Sequence, residues 1–318
     1  MILNPYKGRT LAHKLAFVMD NKVLPSLPLL YEGLVIPLRR RVYDAMVKSR
    51  VNDLISKAGG IDAHLFRNIE IETVNRCNND CQFCPANKRY DRRPLGKMDE
   101  KLFRSIIEQL KNLNFSHALA MYSNNEPLLD PRAVDFCAHA KDQLPKAFVY
   151  MFTNGTLLDA ATFGKLMGCL DKLVIDNYSD DLRPTGQVRE IIKECRKNAK
   201  WSSKTVIVLR KKSEFRNNRA GRAPNRRSLV PLTSPCLYPF SQLVVRPDGK
   251  LSLCCNDVYG EITLGDLMKE GLLEAWQGEK FKAVRSSMMK GRANLALCCK
   301  CDNITAEHIE LAPHRITC

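Results

Sequence analysis

The sequence predicts an α/β protein with a mostly parallel sheet, a helical N-terminal extension and a small C-terminal α+β domain. Three observations support this class. Strand patterns alternate with helix patterns through the middle of the chain, the alternation stops near residue 230, and the first 64 residues have mostly helical, basic patterns broken by prolines. Such alternation indicates parallel strands covered by helices. We therefore divide the chain into an extension (1–64), a core (65–229) and a C-terminal domain (230–318).

The spacing of apolar residues predicts five strands and four helices in the core. The strands cover 69–74, 117–122, 147–152, 173–175 and 205–209, and the helices cover 102–113, 131–141, 160–170 and 187–199. Asp99 precedes the first helix, where its side chain can accept hydrogen bonds from free backbone N–H groups. Ligands bind at the carboxyl ends of parallel strands, so the loops after these strands should form one mouth.

The C-terminal part has a different pattern. Residues 241–246 and 250–253 flank the dipeptide Asp248-Gly249, which predicts a β-hairpin with its turn at these two residues. Helices are expected near 272–276 and 281–289, and cysteines follow at 298, 299 and 301. We interpret this region as a second, smaller domain.

The cysteine content indicates metal or redox chemistry. The chain has 318 residues and 13 cysteines, and its N-terminus lacks the apolar segment and cleavage site of a signal peptide. We therefore expect a cytoplasmic protein in a reducing compartment, where clustered cysteines bind metal rather than form disulfides. No apolar run approaches the ~20 residues of a membrane-spanning helix.

The formal net charge of +16 suits a polyanionic partner or only a basic surface. The densest basic cluster covers residues 210–227, but no array of base-stacking aromatic residues accompanies it, so nucleic acid is not expected as a partner. The apolar segment 27–38 is followed by Arg39–Arg41, which leaves room for a peripheral membrane contact. The simpler interpretation is a basic helical extension packed on the core.

Cys77, Cys81 and Cys84 form a C-x3-C-x2-C set directly after the first predicted strand. A structural zinc ion normally has four ligands, and the nearest downstream histidine is His117. A cubane iron–sulfur cluster takes one thiolate per iron, so three thiolates leave one iron open for a substrate or cofactor. An iron–sulfur cluster therefore suits this set better than zinc.

The set resembles the signature of radical S-adenosylmethionine (SAM) enzymes, because a strand precedes it and Phe83 precedes its third cysteine. The resemblance covers about residues 65–228 and implies a partial (β/α)6 TIM-like barrel. It also implies a [4Fe–4S] cluster whose fourth iron binds the amino and carboxylate groups of SAM. An external electron donor such as flavodoxin or ferredoxin would reduce the cluster, and the resulting 5′-deoxyadenosyl radical would abstract hydrogen from the substrate.

The resemblance implies further SAM-binding residues besides Phe83. Asn124-Asn125-Glu126-Pro127 stands where the family usually has Gly-Gly-Glu-Pro, and asparagine tolerates left-handed backbone better than most residues. Thr153-Asn154-Gly155 resembles the turn after the third strand. Asn177 stands where a small polar residue often meets the SAM ribose, and Arg210 could pair with the SAM carboxylate. The alternatives are an ordinary loop carboxylate at Glu126 and a plain turn at 153–155.

A second cysteine set lies in the C-terminal domain. Its pattern, C-x12-G-x4-C followed by C-x2-C, resembles the SPASM or twitch extension of some radical SAM enzymes. The adjacent Cys255 and Cys299 leave the register ambiguous, and structural zinc is the alternative for a site with four thiolates. The resemblance implies one auxiliary [4Fe–4S] cluster with the ligands Cys236, Cys254, Cys298 and Cys301.

We expect a radical SAM oxidoreductase or maturase that abstracts hydrogen from a peptide or from a small sugar or alcohol. A closed auxiliary cluster can accept an electron from a substrate radical, which suits net oxidation by dehydrogenation or cross-linking. One alternative is an epimerase in which Cys255 or Cys299 donates hydrogen. Another is a non-catalytic protein that binds metal or RNA. The sequence assigns no catalytic residue.

Overall fold

The computed structural model describes residues 2–3, 34, 36–214, 216–225 and 232–303. The strands of these residues are β1 (Ile2–Leu3), β2 (Asn68–Ile71), β3 (Ala118–Ala120), β4 (Phe148–Thr153), β5 (Lys172–Tyr178), β6 (Thr205–Arg210), β7 (Gln242–Val245), β8 (Lys250–Ser252) and β9 (Thr263–Asp266). They form one sheet in the order β1-β6-β5-β4-β3-β2-β7-β8-β9. All neighbours from β1 to β7 in this order are parallel, whereas β8 and β9 are added antiparallel.

The helices of the described residues are α1 (Ile36–Lys57), α2 (Glu100–Asn112), α3 (Ala133–Gln143), α4 (Ala160–Cys169), α5 (Gly186–Lys197), α6 (Ala199–Lys204), α7 (Leu272–Gln277) and α8 (Glu279–Met289). Strands β2–β6 alternate with α2–α5, so the predicted α/β class is confirmed. Asp99 caps α2 as expected, because its side chain accepts hydrogen bonds from the backbone N–H groups of Lys101 and Leu102.

The predicted helix 187–199 ends two residues early. The side chain of Asn198 accepts hydrogen bonds from the backbone N–H groups of Lys200 and Trp201, at 3.0 and 3.2 Å. An asparagine in this role starts a helix rather than continuing one. The chain therefore stops α5 at Lys197 and begins the short helix α6.

The predicted hairpin joins the sheet of the core. Strand β7 pairs with β2 in parallel, with Asn68 opposite Gln242 and Ile71 opposite Val245. The hairpin then turns back, so β8 pairs antiparallel with β7. The boundary at 229/230 stays a prediction, but the sheet is continuous across it.

Trp276 joins the core to the C-terminal helices. Its indole N–H donates to the carbonyl oxygen of Ala63 at 2.9 Å, and its side chain is fully buried. Its ring contacts Phe66 and Phe281, with centroid separations of 5.6 and 4.9 Å. The guanidinium carbon of Arg285 lies 4.1 Å from the ring centroid, a cation–π contact.

Helix α1 is anchored at two places, near its middle and near its C-terminal end. Val51 and Ile55 belong to the buried core, and the Asp44 carboxylate accepts hydrogen bonds from the backbone N–H groups of Thr233 and Ser234 at 2.9 and 2.8 Å. The rest of the predicted helical extension at 4–33 lies outside the described residues. Within the part of the chain that the structure describes, no helix combines the length and apolar character needed to cross a bilayer.

Replacing Trp276 with alanine should lower the free energy of unfolding by about 3–5 kcal/mol, because a fully buried aromatic site is emptied. Trp276→Phe removes the indole N–H that Ala63 accepts and should cost about 1–3 kcal/mol. Urea denaturation of the anaerobically loaded protein measures both changes. The neighbouring exposed position supplies the control, Gln277→Ala, which should stay within about 0.5 kcal/mol of wild type. If Trp276→Ala and Gln277→Ala lowered the free energy of unfolding by similar amounts, Trp276 would not be the residue that joins the core to the C-terminal helices.

Candidate active site

A cavity of about 520 Å³ extends along one face of the sheet. Asn68 and Glu70 on β2 and Phe148, Tyr150 and Phe152 on β4 line it, at the alternating positions that share a face. The loops after β2, β3 and β4 close one end, as expected for the carboxyl ends of parallel strands. The predicted SAM-binding residues that line the cavity are Cys77, Cys81, Phe83, Cys84, Asn124, Asn125, Glu126, Thr153 and Asn154.

The three cysteines after β2 form one group of interacting thiols. Burial raises the pKa of the Cys77 thiol to about 12. Burial and the fields of Cys84 and Cys77 also raise the pKa of the Cys81 thiol. A metal that binds these thiols must therefore displace their protons. Three thiolates match three irons of a cubane and leave its fourth iron open.

Asn87 holds the cysteine loop in shape. Its side-chain amide donates to the carbonyl oxygens of Cys81 and Cys84, both at 2.8 Å. Its oxygen accepts hydrogen bonds from the backbone N–H groups of Arg89 and Tyr90, at 2.8 and 3.1 Å. The sequence analysis missed this residue, because an asparagine signals a turn without showing which carbonyls it will hold.

Glu126 orders the turn after β4. Its carboxylate accepts hydrogen bonds from the Thr153 hydroxyl and the Asn154 backbone N–H, both at 2.7 Å. Burial raises the pKa of Glu126 to about 7. The Asn154 amide donates to Asn78 Oδ1 at 2.8 Å and lies 3.9 Å from the Cys77 sulfur. Glu126 therefore positions Asn154 against the cysteine loop, and its own contact with SAM stays a prediction.

Asn124 and Asn125 replace glycines without left-handed backbone, because neither has a positive φ. The Asn124 amide donates to the Cys255 carbonyl oxygen at 3.0 Å. The Asn125 oxygen accepts a hydrogen bond from the Ser123 backbone N–H at 3.0 Å, while its amide nitrogen is buried without a partner among the described residues. Such a free donor in the cavity wall fits the predicted contact with SAM.

Phe83 lies in the cavity wall beneath Arg216 and beside Tyr178. Its side chain is buried, and its ring centroid lies 5.8 Å from that of Tyr178. The guanidinium carbon of Arg216 lies 5.4 Å from the Phe83 centroid. Phe83, Tyr178 and Arg216 therefore form the cavity wall next to the third cysteine, Cys84.

The two remaining predicted SAM contacts do not line the cavity. Asn177 is fully buried, and its amide group binds the backbone of Arg183 and Thr185 at 2.9 and 2.8 Å. Arg210 pairs with Asp176 at 2.7 Å and with Glu214 at 3.0 Å. These groups hold the loop after β5 and the end of β6. A direct contact of either residue with SAM stays a prediction, and the present partners give each one a structural role.

The four cysteines predicted to bind the auxiliary cluster lie around a second, small cavity beside the first. Burial and the fields of neighbouring thiols raise the pKa of Cys254 and of Cys298. Cys255 instead lines the large cavity, and Cys299 donates its thiol hydrogen to the Ala296 carbonyl oxygen at 3.2 Å. The cysteines that share the small cavity are Cys236, Cys254, Cys298 and Cys301.

Arg292 supplies a buried positive charge to the four-cysteine cavity. Its side chain is 2% exposed, its Nε donates to the Ser234 carbonyl oxygen at 2.9 Å, and its Nη1 is buried without a partner among the described residues. Burial lowers its pKa, but the fields of Cys236, Cys301, Cys298 and Asp44 together outweigh burial and raise it. An anionic group is therefore expected beside Arg292, and a cluster bound by four thiolates is such a group.

The number of thiols in the loop after β2 favours a cluster over zinc. Within the described ranges, no group of three or more His, Cys, Asp or Glu side chains could hold a metal ion as it stands. A structural zinc ion normally takes four ligands, whereas three thiolates suit three irons of a cubane. The four thiols of the small cavity suit a cubane and a zinc ion alike.

Glu70 lies in the wall of the large cavity and was missed by the sequence analysis. It is buried on β2, and its carboxylate accepts hydrogen bonds from Gln242 Nε2 at 2.7 Å and Ser123 Oγ at 2.8 Å. Burial raises its pKa to about 7. The signal in the sequence was a carboxylate repeated at every second position of an apolar strand, Ile69-Glu70-Ile71-Glu72.

Arg219 is a second polar residue of the cavity that the sequence analysis missed. Its guanidinium donates to Asn124 Oδ1 at 3.4 Å and to the Cys255 carbonyl oxygen at 3.2 Å. Arg219 and Ala220 have φ angles of 48° and 53°, a left-handed conformation that is strained for both residues. Such strain is often found at functional sites. In the sequence this arginine is indistinguishable from its basic neighbours.

Comparisons with protein families match both parts of the chain. The model of the Radical SAM superfamily matches residues 71–211, and that of the SPASM iron–sulfur cluster-binding domain matches residues 236–302. The first range contains the three-cysteine loop, and the second contains the cysteines of the small cavity.

Individual relatives agree with these matches. The S-adenosyl-L-methionine-dependent 2-deoxy-scyllo-inosamine dehydrogenase of Niallia circulans is 24% identical over 245 residues, which cover 76% of this chain and 95% of that protein. The crystal structure of BtrN in complex with AdoMet and 2-DOIA has a TM-score of 0.64 and 25% identity over 76% of this chain and 94% of that chain. BtrN in an open conformation has a TM-score of 0.56 and 22% identity over the same shares, which shows the fold alone.

Each family match covers one of the two cysteine sets. The Radical SAM match implies SAM and a [4Fe–4S] cluster, and the SPASM match implies auxiliary iron–sulfur clusters. That the three-cysteine loop after β2 binds the first cluster stays a prediction. The solved structures confirm the predicted fold class. The non-catalytic alternative is thereby set aside. Residues 71–211 are therefore a radical SAM domain and residues 236–302 a C-terminal SPASM domain, and the protein is a radical SAM enzyme that uses SAM and iron–sulfur clusters.

Proposed function

We propose that the protein oxidises a small polyhydroxylated ring, a sugar or an aminocyclitol, by converting one secondary alcohol to a ketone. The observation that carries this proposal is a single cavity with the three-cysteine loop on one wall and Cys255 and Asn256, next to the auxiliary set, on another. Similarity to a 2-deoxy-scyllo-inosamine dehydrogenase supports the substrate class. A peptide substrate is the alternative that the sequence left open.

The cavity offers hydrogen-bonding groups that suit hydroxyl or amino substituents. Glu70, Gln242 and Arg219 line it from three different segments. Asn256 Oδ1 is buried without a partner among the described residues, so it can accept a hydrogen bond from a substrate hydroxyl. A site with buried polar groups discriminates strongly against molecules that leave these groups unpaired.

We assign the SAM-binding cluster to Cys77, Cys81 and Cys84, and the auxiliary cluster to the four cysteines of the small cavity. When bound, the first cluster and SAM supply the 5′-deoxyadenosyl radical that removes hydrogen from carbon. The chain itself positions the reacting groups and excludes water from them. Asn87 and Asn154 fix the cysteine loop, and the walls keep water from the radical.

The auxiliary site suits an electron acceptor. Its four thiolates complete the coordination of a cubane, so no iron is open to a substrate. Asn256 and Tyr238 line both cavities, so the two cavities are neighbours. A cluster held by the four cysteines would accept the electron of a substrate radical, which would complete a two-electron oxidation.

Epimerisation is a second candidate, and Cys255 is the observation that favours it. Its thiol lines the large cavity, and burial raises its pKa to about 12, so the thiol keeps its hydrogen at neutral pH. A thiol can return a hydrogen atom to a substrate radical on the opposite face, which inverts the carbon without net oxidation. Cys299 does not line this cavity, which supports Cys255 rather than Cys299 as the proposed donor.

A radical SAM enzyme needs a one-electron donor as well as a substrate. We propose a flavodoxin or a ferredoxin as this donor, because a net charge of +16 suits an acidic redox partner. A peripheral contact with an anionic membrane also stays a prediction. Leu34, Leu38 and Val42, which are exposed by 62%, 62% and 55%, lie near the exposed Arg41 on α1 and could form it.

The cysteine loop is tested by Cys77→Ala. After anaerobic reconstitution, wild type should hold about eight irons per chain, as two cubanes require, and the variant about four. Wild type should release 5′-deoxyadenosine from SAM on reduction, and the variant should release none. Cys195→Ala, at a half-buried cysteine on α5, is the control that should behave as wild type. Unchanged release from Cys77→Ala would refute the assignment.

Solvent labelling separates the two candidate reactions. Turnover of a panel of sugars and aminocyclitols in deuterated water should give a product that is two hydrogens lighter and carries no solvent deuterium. A product of unchanged composition that carries one solvent deuterium on carbon would establish epimerisation instead. Cys255→Ala should then abolish the incorporation, because it removes the exchangeable thiol hydrogen. Mass spectrometry measures each outcome.

Arg292→Gln should lower the reduction potential of the auxiliary cluster, because a buried positive charge favours the reduced, more negative form. An anaerobic redox titration followed by electron paramagnetic resonance measures this potential. Arg292→Lys keeps the charge and should restore most of the wild-type potential. If both variants shift the potential equally, packing rather than charge is the cause.

A further inference from the structure

We propose that Glu70 is the proton acceptor of the reaction, taking the proton of the substrate hydroxyl after hydrogen has left the same carbon. This inference rests on the proposed dehydrogenation. It assigns a catalytic residue to a carboxylate that neither the SAM-binding motif nor the cysteine sets include.

Dehydrogenation of a secondary alcohol removes one hydrogen atom, one proton and one electron. The 5′-deoxyadenosyl radical takes the hydrogen atom from carbon and becomes 5′-deoxyadenosine. The O–H bond then breaks heterolytically, and its proton passes to the Glu70 carboxylate. The remaining electron leaves the carbon radical as the C=O bond forms, and it reduces the oxidised auxiliary [4Fe–4S] cluster. A positioned base typically accelerates such a proton transfer by about 10²–10⁴-fold.

Three carboxylates line the large cavity among the described residues, and the other two have different tasks. Asp176 is ion-paired with Arg210 at 2.7 Å. Glu126 accepts three hydrogen bonds that order its own turn and the turn after β4. Among the described residues, Glu70 accepts hydrogen bonds from neutral side chains alone, those of Gln242, Ser123 and Asn68. Unlike Asp176, it can accept a proton without breaking an ion pair, and unlike Glu126 it holds no backbone N–H group of a turn.

The surroundings of Glu70 suit a base that works near neutral pH. Burial raises its pKa to about 7, and the field of Arg219 opposes this shift only in part. A base with this pKa is ionised in a useful fraction and still takes a proton readily. The other titratable groups that face it from neighbouring elements are Glu72, Tyr150, Tyr238 and Cys255.

The position of Glu70 also places it on the electron route. It lies on β2, and its carboxylate accepts a hydrogen bond from the Gln242 side chain on β7 at 2.7 Å. The Cys255 backbone N–H donates to Oε1 of the same glutamine at 3.2 Å. Cys255 follows Cys254, which lines the auxiliary cavity. A hydroxyl bound at Glu70 therefore lies on the side of the substrate that faces the auxiliary site. The proton and the electron can leave toward the same wall.

The test uses Glu70→Gln in the fully loaded enzyme, with ring-deuterated 2-deoxy-scyllo-inosamine and the aminocyclitol panel as probes. Deuterium transfer into 5′-deoxyadenosine should stay within about threefold of wild type, because glutamine keeps the size of the side chain. The ratio of ketone to 5′-deoxyadenosine should fall by about 100-fold, as expected for loss of a positioned base. Rapid freezing should reveal an accumulated carbon radical by electron paramagnetic resonance.

The pH profile gives an independent readout. In wild type the ratio of ketone to 5′-deoxyadenosine should fall below about pH 7, where Glu70 becomes protonated, and this limb should be absent in Glu70→Gln. Glu72→Gln is the matched control: Glu72 is a buried carboxylate on the same segment whose pKa is also raised to about 7, but it does not line the cavity. The ratio of ketone to 5′-deoxyadenosine in Glu72→Gln should match that of wild type. If Glu70→Gln fails to load, Glu70→Asp keeps a carboxylate and should give an intermediate ratio.

Two results would overturn the inference, and they are distinguishable. A wild-type ratio in Glu70→Gln, with ketone formed normally, removes Glu70 from the reaction and leaves the proposed function intact. A wild-type enzyme that converts its substrate to an epimer releases no hydroxyl proton, and this outcome removes both the proposed function and the role of Glu70.

Discussion

The parallel pairing of β2 with β7 is the constraint on which the active site depends. It aligns Asn68–Ile71 with Gln242–Val245, so that the chain leaves both strands at the same edge of the sheet. The loop after β2 carries the three-cysteine set at that edge. Strand β8 then runs back along β7, so Cys255 lies near the other end of the same strands, where its backbone N–H donates to Gln242 Oε1 at 3.2 Å. Two segments more than 160 residues apart therefore line one cavity from its two ends.

The four-cysteine cavity has a buried cation, Arg292, in its wall. A fixed positive charge stabilises added electrons. Arg292 therefore favours the arrival of an electron at the proposed auxiliary site, which is the direction that oxidation requires. The three-cysteine loop has charges of both signs near its thiols, those of Arg219, Lys212 and Glu126.

Much of the fold could be predicted because its signals are local. Apolar spacing located β2–β6 and α2–α5, and the dipeptide Asp248-Gly249 located the hairpin. The cysteine sets were readable for the same reason, since ligand spacing within a loop is a property of a short segment. The partner strand of the hairpin could not be predicted, because β2 and β7 are far apart in the sequence and become neighbours only in the folded chain.

The substrate side of the cavity was the part that sequence reasoning missed. Glu70 was hidden in an apolar strand, and Arg219 in a basic run, and only the fold brings them to one cavity. Asn177 and Arg210 show the reverse case, in which the sequence singled out a residue but did not predict its contacts. The sequence analysis placed both residues after strands, whereas Asn177 lies within β5 and Arg210 is the last residue of β6. Their side chains bind local backbone and Asp176, since a position along a strand does not fix the direction in which a side chain reaches. Sequence therefore predicted the cofactor motifs better than the substrate contacts.

The central claim is that two iron–sulfur clusters face one substrate cavity, and the magnetic interaction between the reduced clusters tests it most directly. Electron paramagnetic resonance of the fully reduced enzyme should show spin–spin broadening between two neighbouring paramagnets. Removing either cysteine set should return a simple spectrum of a single cluster. A wild-type spectrum equal to the sum of the two single-cluster spectra would contradict the account, because the clusters would then lie too far apart to share a substrate.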